Sequence, residues 1–377
     1  MSSTNPARTP FLVIAVTGRA LAASARRGGH PVVVLDYFAD GDTAALASAC
    51  RSVVAARGLR FDRQALLTAA EALAPASRCA GLVYGSGFEG RVQLLARVTH
   101  GRRLFGNSPA VVRAVRDPGH FFGLLDRLGI PHPPVRMTPP PDPTGWLVKH
   151  PGGAGGTRVR PAGSRRASSQ AYFQRFEPGR TLSVLFLADG RRARVLGFNE
   201  QWTTGRPALP FLYGGAVGGV VPPQAVASGV PAKLDALVAA TGLVGLNGLD
   251  FVVRGDRWSV LELNPRPTAT MELYDPDYPQ GLFDWHLRAC EGALPDRPAR
   301  SETVRAHAVV HAPAEGPLAA AFEFPRWCRD RPRAGTRFAP GDPVCTVHAS
   351  APDAPRAVAL LRRRQTAILD VLRHAAA

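Results

Sequence analysis

The chain has 377 residues, 45% of them hydrophobic and 20% charged, with 46 Lys and Arg against 29 Asp and Glu for a net charge of +17. That length predicts roughly two or three domains with buried cores, and no apolar run approaches the roughly 20 residues that span a bilayer. The arginines are scattered and no aromatic-interleaved basic motif occurs, so the charge argues for attraction of anionic small molecules rather than nucleic acid.

Five widely spaced cysteines without a C-x-x-C pair predict reduced thiols in a cytoplasm and no disulfide or structural-zinc framework. Residues 1–10 read as a disordered leader. Phe11–Val16 is too short for a signal-peptide core and is broken by Thr17-Gly18-Arg19, so it reads as a buried strand leading into a helix. Strands are expected at 11–16, 32–36 and 81–84, and helices near 19–28, 43–49, 64–73 and 89–99. That βαβ rhythm implies a small parallel sheet. Loops after parallel strands bind ligands, so Tyr84–Glu89 is read either as a substrate-contacting loop or as a turn with a helix cap at Ser86.

Asn107-Ser108-Pro109 opens one helix, and Asp117-Pro118 opens the next with Asp117 as N-cap. Prolines between 131 and 141 mark a linker. Trp146-Leu-Val-Lys149 then reads as a short strand, followed by Gly152-Gly153-Ala154-Gly155-Gly156. Only Lys149 and Lys233 are lysines in this arginine-rich chain. An ammonium on a thin stem suits a closed phosphate pocket, where a guanidinium is a wide fork. Glycines also let backbone N–H groups approach an anion. No Gly-Lys-Ser/Thr follows, so this is not a Walker loop, and no dinucleotide fingerprint follows the first strand.

Strands are expected at Thr181–Leu187 and Arg194–Asn199 and an amphipathic helix over 225–241, and the glycine cluster Gly214–Gly219 reads either as a substrate loop or as merely a tight strand connection. Gly248–Arg266 reads as two strands around an Arg254-Gly255-Asp256-Arg257 turn. Folding it symmetrically about Asp256 sets Asp250 opposite Glu262, with Asn264 on the same side and Leu261 and Leu263 in a core. Opposed like charges are destabilising. Either this is a solvated acidic face, or a hard cation lies between the acids, and all-oxygen ligation suits Mg²⁺. His286 reads as a packed helix histidine. Strands near 304–311, 336–338 and 344–348 precede a closing helix, 356–374.

Asp250 followed by Glu262-Leu-Asn264-Pro-Arg266 resembles the metal end of the ATP-grasp superfamily, and the chain is most similar to predicted ATP-grasp carboligases. The resemblance implies an α/β (α+β) ATP-grasp fold: a Rossmann-like pre-ATP-grasp domain at 11–105, the ATP-grasp domain at 106–295 with its lid subdomain about 145–190, and a β-rich cap and final helix at 300–377. It implies ATP and Mg²⁺ as cofactors, with Mn²⁺ able to substitute, and Asp250, Glu262 and Asn264 as metal ligands. Lys149 and the loop Gly152, Gly153, Gly155 and Gly156 would bind ATP phosphates. Gln174, Arg175 and Phe176 would be the adenine hinge, and Glu177 the ribose ligand. Family members often carry Glu where this chain has Gln174, and many carry a nucleotide-binding Lys where it offers Arg116.

Arg266 would reach the reacting acyl or phosphoryl group, with Lys149 as its catalytic partner, and the acceptor would lie near Thr268 and Glu272. The implied activity is carboxylate–amine ligation through an acyl phosphate, releasing ADP and phosphate; such carboligases serve cofactor biosynthesis among other pathways. The expected partners are a small carboxylate and a small amine, with no nucleic acid or membrane and with a homodimer as the assembly. The alternatives are a biotin carboxylase-like or purine-pathway carboxylase using bicarbonate, and a non-catalytic nucleotide sensor.

Overall fold

The computed structural model describes residues 9–56, 59–163, 168, 170–318 and 322–374. Most of the leader expected to be disordered, up to residue 8, lies outside them.

The first unit is a parallel sheet in the order β3-β2-β1-β4-β5, built from β1 (Phe11–Ile14), β2 (Val32–Asp36), β3 (Ala49–Ser52), β4 (Gly81–Tyr84) and β5 (Leu104–Phe105). Its helices are α1 (Arg19–Arg27), α2 (Gly41–Leu46), α3 (Arg63–Leu73) and α4 (Val92–Thr99). Strand alternation divides its core in two. Leu12, Ile14, Val33, Leu35 and Leu82 pack with α3 and α4 residues, whereas Val13, Val32, Val34 and Val83 pack with α1. The strand order reverses around β1, so the loops after β1 and β4 flank a crevice at the carboxyl ends.

Two capped helices follow, α5 (Pro109–Arg116) and α6 (Pro118–Arg127); Ser108 accepts from the Val111 amide and Asp117 from the His120 amide. A small antiparallel sheet comes next, in the order β6-β9-β7-β8, from β6 (Val135–Arg136), β7 (Trp146–Lys149), β8 (Val159–Pro161) and β9 (Tyr172–Arg175).

The body is one eight-stranded antiparallel sheet, β14-β13-β10-β11-β12-β15-β19-β17. Its strands are β10 (Arg180–Asp189), β11 (Ala193–Thr203), β12 (Tyr213–Val217), β13 (Val244–Arg254), β14 (Arg257–Asn264), β15 (Val304–His311), β17 (Cys328–Arg329) and β19 (Pro343–Ala351). The short strands β16 (Gly316–Pro317) and β18 (Arg337–Phe338) pair separately. On one face Leu182, Val184, Phe186, Leu249 and Phe251 pack with α6 and α7 (Gln224–Thr241). On the other, Leu185, Leu187 and Leu246 pack with α1 and α8 (Gly281–Cys290). The last helix, α9 (Ala354–His374), covers β15 and β19.

Two expectations need correction. Gly214–Gly219 is not merely a connection: Gly214 and Gly215 lie inside β12, where a Cβ on Gly215 would sit 2.3 Å from the His307 carbonyl oxygen. Leu261 is only half-buried, and Val260 takes the core position beside Leu263. The hairpin turns on Gly255-Asp256 with Arg254 paired to Arg257, and the register then shifts between Phe251↔Val260 and Asp250↔Glu262. Leu261 is the extra residue of that bulge.

Candidate active site

The bulge places the two acids. With an unbroken register Asp250 would face Leu261, and Glu262 would fall on the α6–α7 side. With it, Asp250 and Glu262 are directly paired on the α8 side, and Asn264 pairs with Gly248 on the same face. Burial and the neighbouring Glu262 charge push the Asp250 carboxyl up to about 7. Burial would also raise Glu262, but the charges of Arg116 and Lys149 outweigh it and hold that carboxyl below its ordinary value.

Asn264 bridges the acids to the arginine: its amide nitrogen donates to Asp250 at 3.0 Å and its oxygen accepts from Arg266 at 3.3 Å. Gln201 on β11 donates to Asp250 at 3.1 Å. Among the described residues no group of three or more His, Cys, Asp or Glu side chains has the geometry to hold a metal ion. The pair plus one amide is a set of hard oxygen donors, and its unrelieved acid–acid repulsion is what a divalent cation would remove. Mg²⁺ is ordinarily held by one or two carboxylates together with phosphate oxygens, so the residues fit that ion.

Lys149, at the end of β7, is buried and donates to the Gln174 side chain at 2.8 Å. Gln174 on β9 thus orients the ammonium through its side chain. Arg175 turns away, donating to the Thr144 carbonyl and lying over Trp146. Phe176 is 47% exposed, and Glu177 is half-buried beside it.

Arg116 does more than line the site. Its guanidinium donates to the Pro151 carbonyl at 2.7 Å and the Gly153 carbonyl at 3.0 Å, and it lies 3.5 Å from Glu262. It ties the glycine loop to the acid pair. The loop is docked at two further points. Gly90 and Gly152 meet so closely that a Cβ on either would lie 2.8 Å from the other's Cα. Gly156 has φ +72°, and a Cβ there would sit 1.8 Å from the Phe211 carbonyl oxygen, while Gly155 accepts from the Tyr213 amide at 3.0 Å.

The loop after β4 enters the site. Glu89 is buried and ion-pairs with Arg266 at 2.5 Å. Burial opposes its charge, but Arg266 and Arg116 outweigh that and hold the carboxyl low. Ser86 caps no helix, since α4 begins at Val92 after Arg91. Glu89 and Gln201 are site residues that motif reading missed. Both belong to elements distant in sequence from the hairpin, and only the position of Glu89 in a loop after a parallel strand hinted at either.

His286 is packed in α8, its Nδ1 accepting from the Leu246 amide and its Nε2 lying 3.1 Å from the Phe105 carbonyl oxygen. No helix among the described residues is long and apolar enough to cross a membrane.

Residues 119–270 match the family model described as an ATP-grasp domain. No curated protein matches the chain. Among solved structures, the biotin carboxylase domain dimer of Hydrogenobacter thermophilus 2-oxoglutarate carboxylase, in complex with MgADP, ADP and bicarbonate, aligns at TM-score 0.72 and 12% identity, covering 95% of this chain and 90% of that one. Campylobacter jejuni biotin carboxylase aligns at 0.68 and 14%, covering 93% and 89%. Rhizobium etli pyruvate carboxylase aligns at 0.71 and 14%, with 95% of this chain spanning 37% of that larger one.

Proposed function

We propose that this chain, an ATP-grasp protein of biotin carboxylase-like architecture, is an ATP-dependent ligase that activates a carboxylate as an acyl phosphate and joins it to an amine. The observation that carries the reading is the convergence of Arg116, Lys149 and Arg266 on the paired, half-buried Asp250 and Glu262 beneath a docked glycine loop. Phosphoryl transfer needs dense charge compensation and little covalent chemistry from the protein.

On this reading Asp250 and Glu262, with the Asn264 amide beside them, would hold Mg²⁺. That ion would neutralise charge on the phosphates of ATP. Lys149, held by Gln174, compensates phosphate charge from the lid. The segment Gln174–Phe176 borders the adenine, with Glu177 near the ribose. A substrate carboxylate attacks the terminal phosphoryl group and ADP leaves. Arg266, held by Glu89, stabilises the oxyanion formed when the amine attacks the acyl carbon. The docked loop keeps water from the acyl phosphate. Small-molecule substrates, a cytoplasmic compartment and a homodimer belong to the same proposal.

The test is ADP release from Mg-ATP with pooled cytosolic acids, with and without hydroxylamine. Acid-dependent ADP together with a hydroxamate supports the reading, and AMP in its place would overturn it. The architecture shared with biotin carboxylases keeps bicarbonate as a second donor; ADP release that depends on bicarbonate alone would select it.

A further inference from the structure

Away from the acid hairpin, an open cavity of about 420 Å³ lies on the outer side of α8. It is bordered by the turn that begins at Asp275, by α8 itself, and by the connector 291–303 that joins α8 to β15. Leu282, Phe283 and Leu287 turn the inner flank of α8 into the core shared with α1. Half-buried Trp285 lies at the boundary, with part of its indole lining the cavity. The volume falls within the roughly 300–1,000 Å³ typical of small-molecule sites. None of the residues around it belongs to the site of Asp250, Glu262, Lys149 and Arg266.

The walls of this cavity are held in place. The connector contains no helix or strand, yet it is pinned at two points: the Ala299 amide donates to the Tyr278 hydroxyl at 3.2 Å, and the carbonyl of buried Pro295 accepts from Arg194 Nε at 3.0 Å. Pro295 and Pro298 fix the backbone φ along the same wall. Asp277 is the one carboxylate in the lining and is already neutralised, since Arg305 donates to both of its oxygens at 2.7 Å. Arg297 and Arg300 also line the cavity, are exposed, and have no hydrogen-bond or ion-pair partner among the described residues. Asp296, next to Arg297, is exposed and does not line the cavity. Arg288 stands over the Trp285 ring at 5.1 Å but is tied to Asp284 at 2.7 Å. Two free guanidinium groups therefore border a hollow walled by indole and proline rings.

We propose that this cavity is a separate ligand site, for a small planar anion such as an aromatic carboxylate or an aryl phosphate. A guanidinium presents a fork of N–H donors that matches either head group, and Arg297 and Arg300 are the lining residues with that capacity unused. The indole of Trp285 and the neighbouring prolines take a flat apolar body out of water. A cation of the same shape is repelled by the two arginines, because Asp277 is already paired. A bare inorganic anion leaves the aromatic wall unfilled. The assignment stands apart from the ligase reading, since it draws on no residue of the phosphate site.

The test is binding to the full chain by ligand-observed NMR, which needs no turnover. The probes are benzoate, indole-3-acetate and phenyl phosphate, compared with benzamide, indole-3-acetamide and phenol as their uncharged counterparts and with inorganic phosphate as the bare anion. The expected result is at least one aromatic anion bound roughly tenfold or more tighter than its uncharged counterpart, the scale of a charge-assisted hydrogen bond, and tighter than inorganic phosphate. That preference should disappear in the double variant Arg297→Gln/Arg300→Gln, whose substitutions are at exposed positions and should leave the melting temperature unchanged. Equal binding of every anion and its counterpart would overturn the site. So would a preference that survives in the double variant, which would place the anion elsewhere, or inorganic phosphate binding as tightly as the aromatic anions. ADP release by the same double variant should match the parent, so a failure of the ligase reading would register separately.

Discussion

Glu89 and Arg266 lie 177 residues apart in the chain and form a buried ion pair at the mouth of the acid hairpin. The carboxylate comes from the loop after β4 and the guanidinium from the segment just after β14, so the pair joins the parallel sheet to the eight-stranded one. Breaking a buried pair strands the surviving charge, at a typical cost of about 3–5 kcal/mol. Glu89→Ala should lower urea-unfolding stability by that order. Arg266→Ala should do the same, and the double variant should lose clearly less than the sum. Strict additivity would show that the pair is not coupled in solution.

Glu262→Ala should abolish ATP-dependent ADP release while the protein still melts cooperatively. The carboxylate sits where the positive charges of Arg116 and Lys149 converge, so its removal unbalances the phosphate end without opening the core. Turnover within twofold of the parent would sink the metal assignment.

Lys149→Arg keeps the charge and should still fail. The ammonium is buried and directed by the Gln174 oxygen at 2.8 Å, a geometry that a planar guanidinium cannot reproduce. A rise in the KM for ATP of tenfold or more is expected from steady-state kinetics; a near-parental value would leave Lys149 with a packing role only.

Gly156→Ala probes loop docking. Both the φ of +72° and the 1.8 Å approach of a Cβ to the Phe211 carbonyl exclude alanine in the docked position. ATP turnover should fall at least tenfold, and limited proteolysis should cut the loop faster, with little change in melting temperature because the loop lies outside the hydrophobic clusters.

Acid should destabilise the fold through His286. Burial lowers this imidazole to about 4, while the Leu246 amide already donates to its Nδ1. In the unfolded chain it returns to roughly 6.5. Between those values the unfolded state binds a proton that the folded state refuses. Stability present above about pH 6.5 is therefore lost as pH falls toward 4, by about 1.4 kcal/mol per pH unit for this group. Urea midpoints measured across that window should fall, and His286→Gln should show a shallower fall.

The hairpin could be read from the chain because its information is local: period-two apolar residues, a Gly-Asp turn, and acids at positions that fold onto each other. Even so, symmetry about Asp256 reached the Asp250–Glu262 pair by a different route from the real one. The turn is centred half a residue away, and a bulge at Leu261 restores the pairing. Bulges carry no strong sequence mark, which is also why Leu261 was assigned to the core. The helix starts at Ser108 and Asp117 were legible for the same local reason, since a side-chain cap lies within three residues of what it caps.

Sequence alone determined what local chemistry can encode: alternating elements, capped helices, a lysine between a short strand and a run of glycines, and two acids with an amide on one face of a hairpin. Only the tertiary structure decided what those groups face. Glu89 reaches Arg266, Arg116 ties Pro151 and Gly153 to Glu262, and Arg19, Glu272 and Asp330 meet from three parts of the chain. Such contacts depend on how sheets and helices stack, and the pairing of distant charges is settled by burial, which no window of neighbouring residues contains.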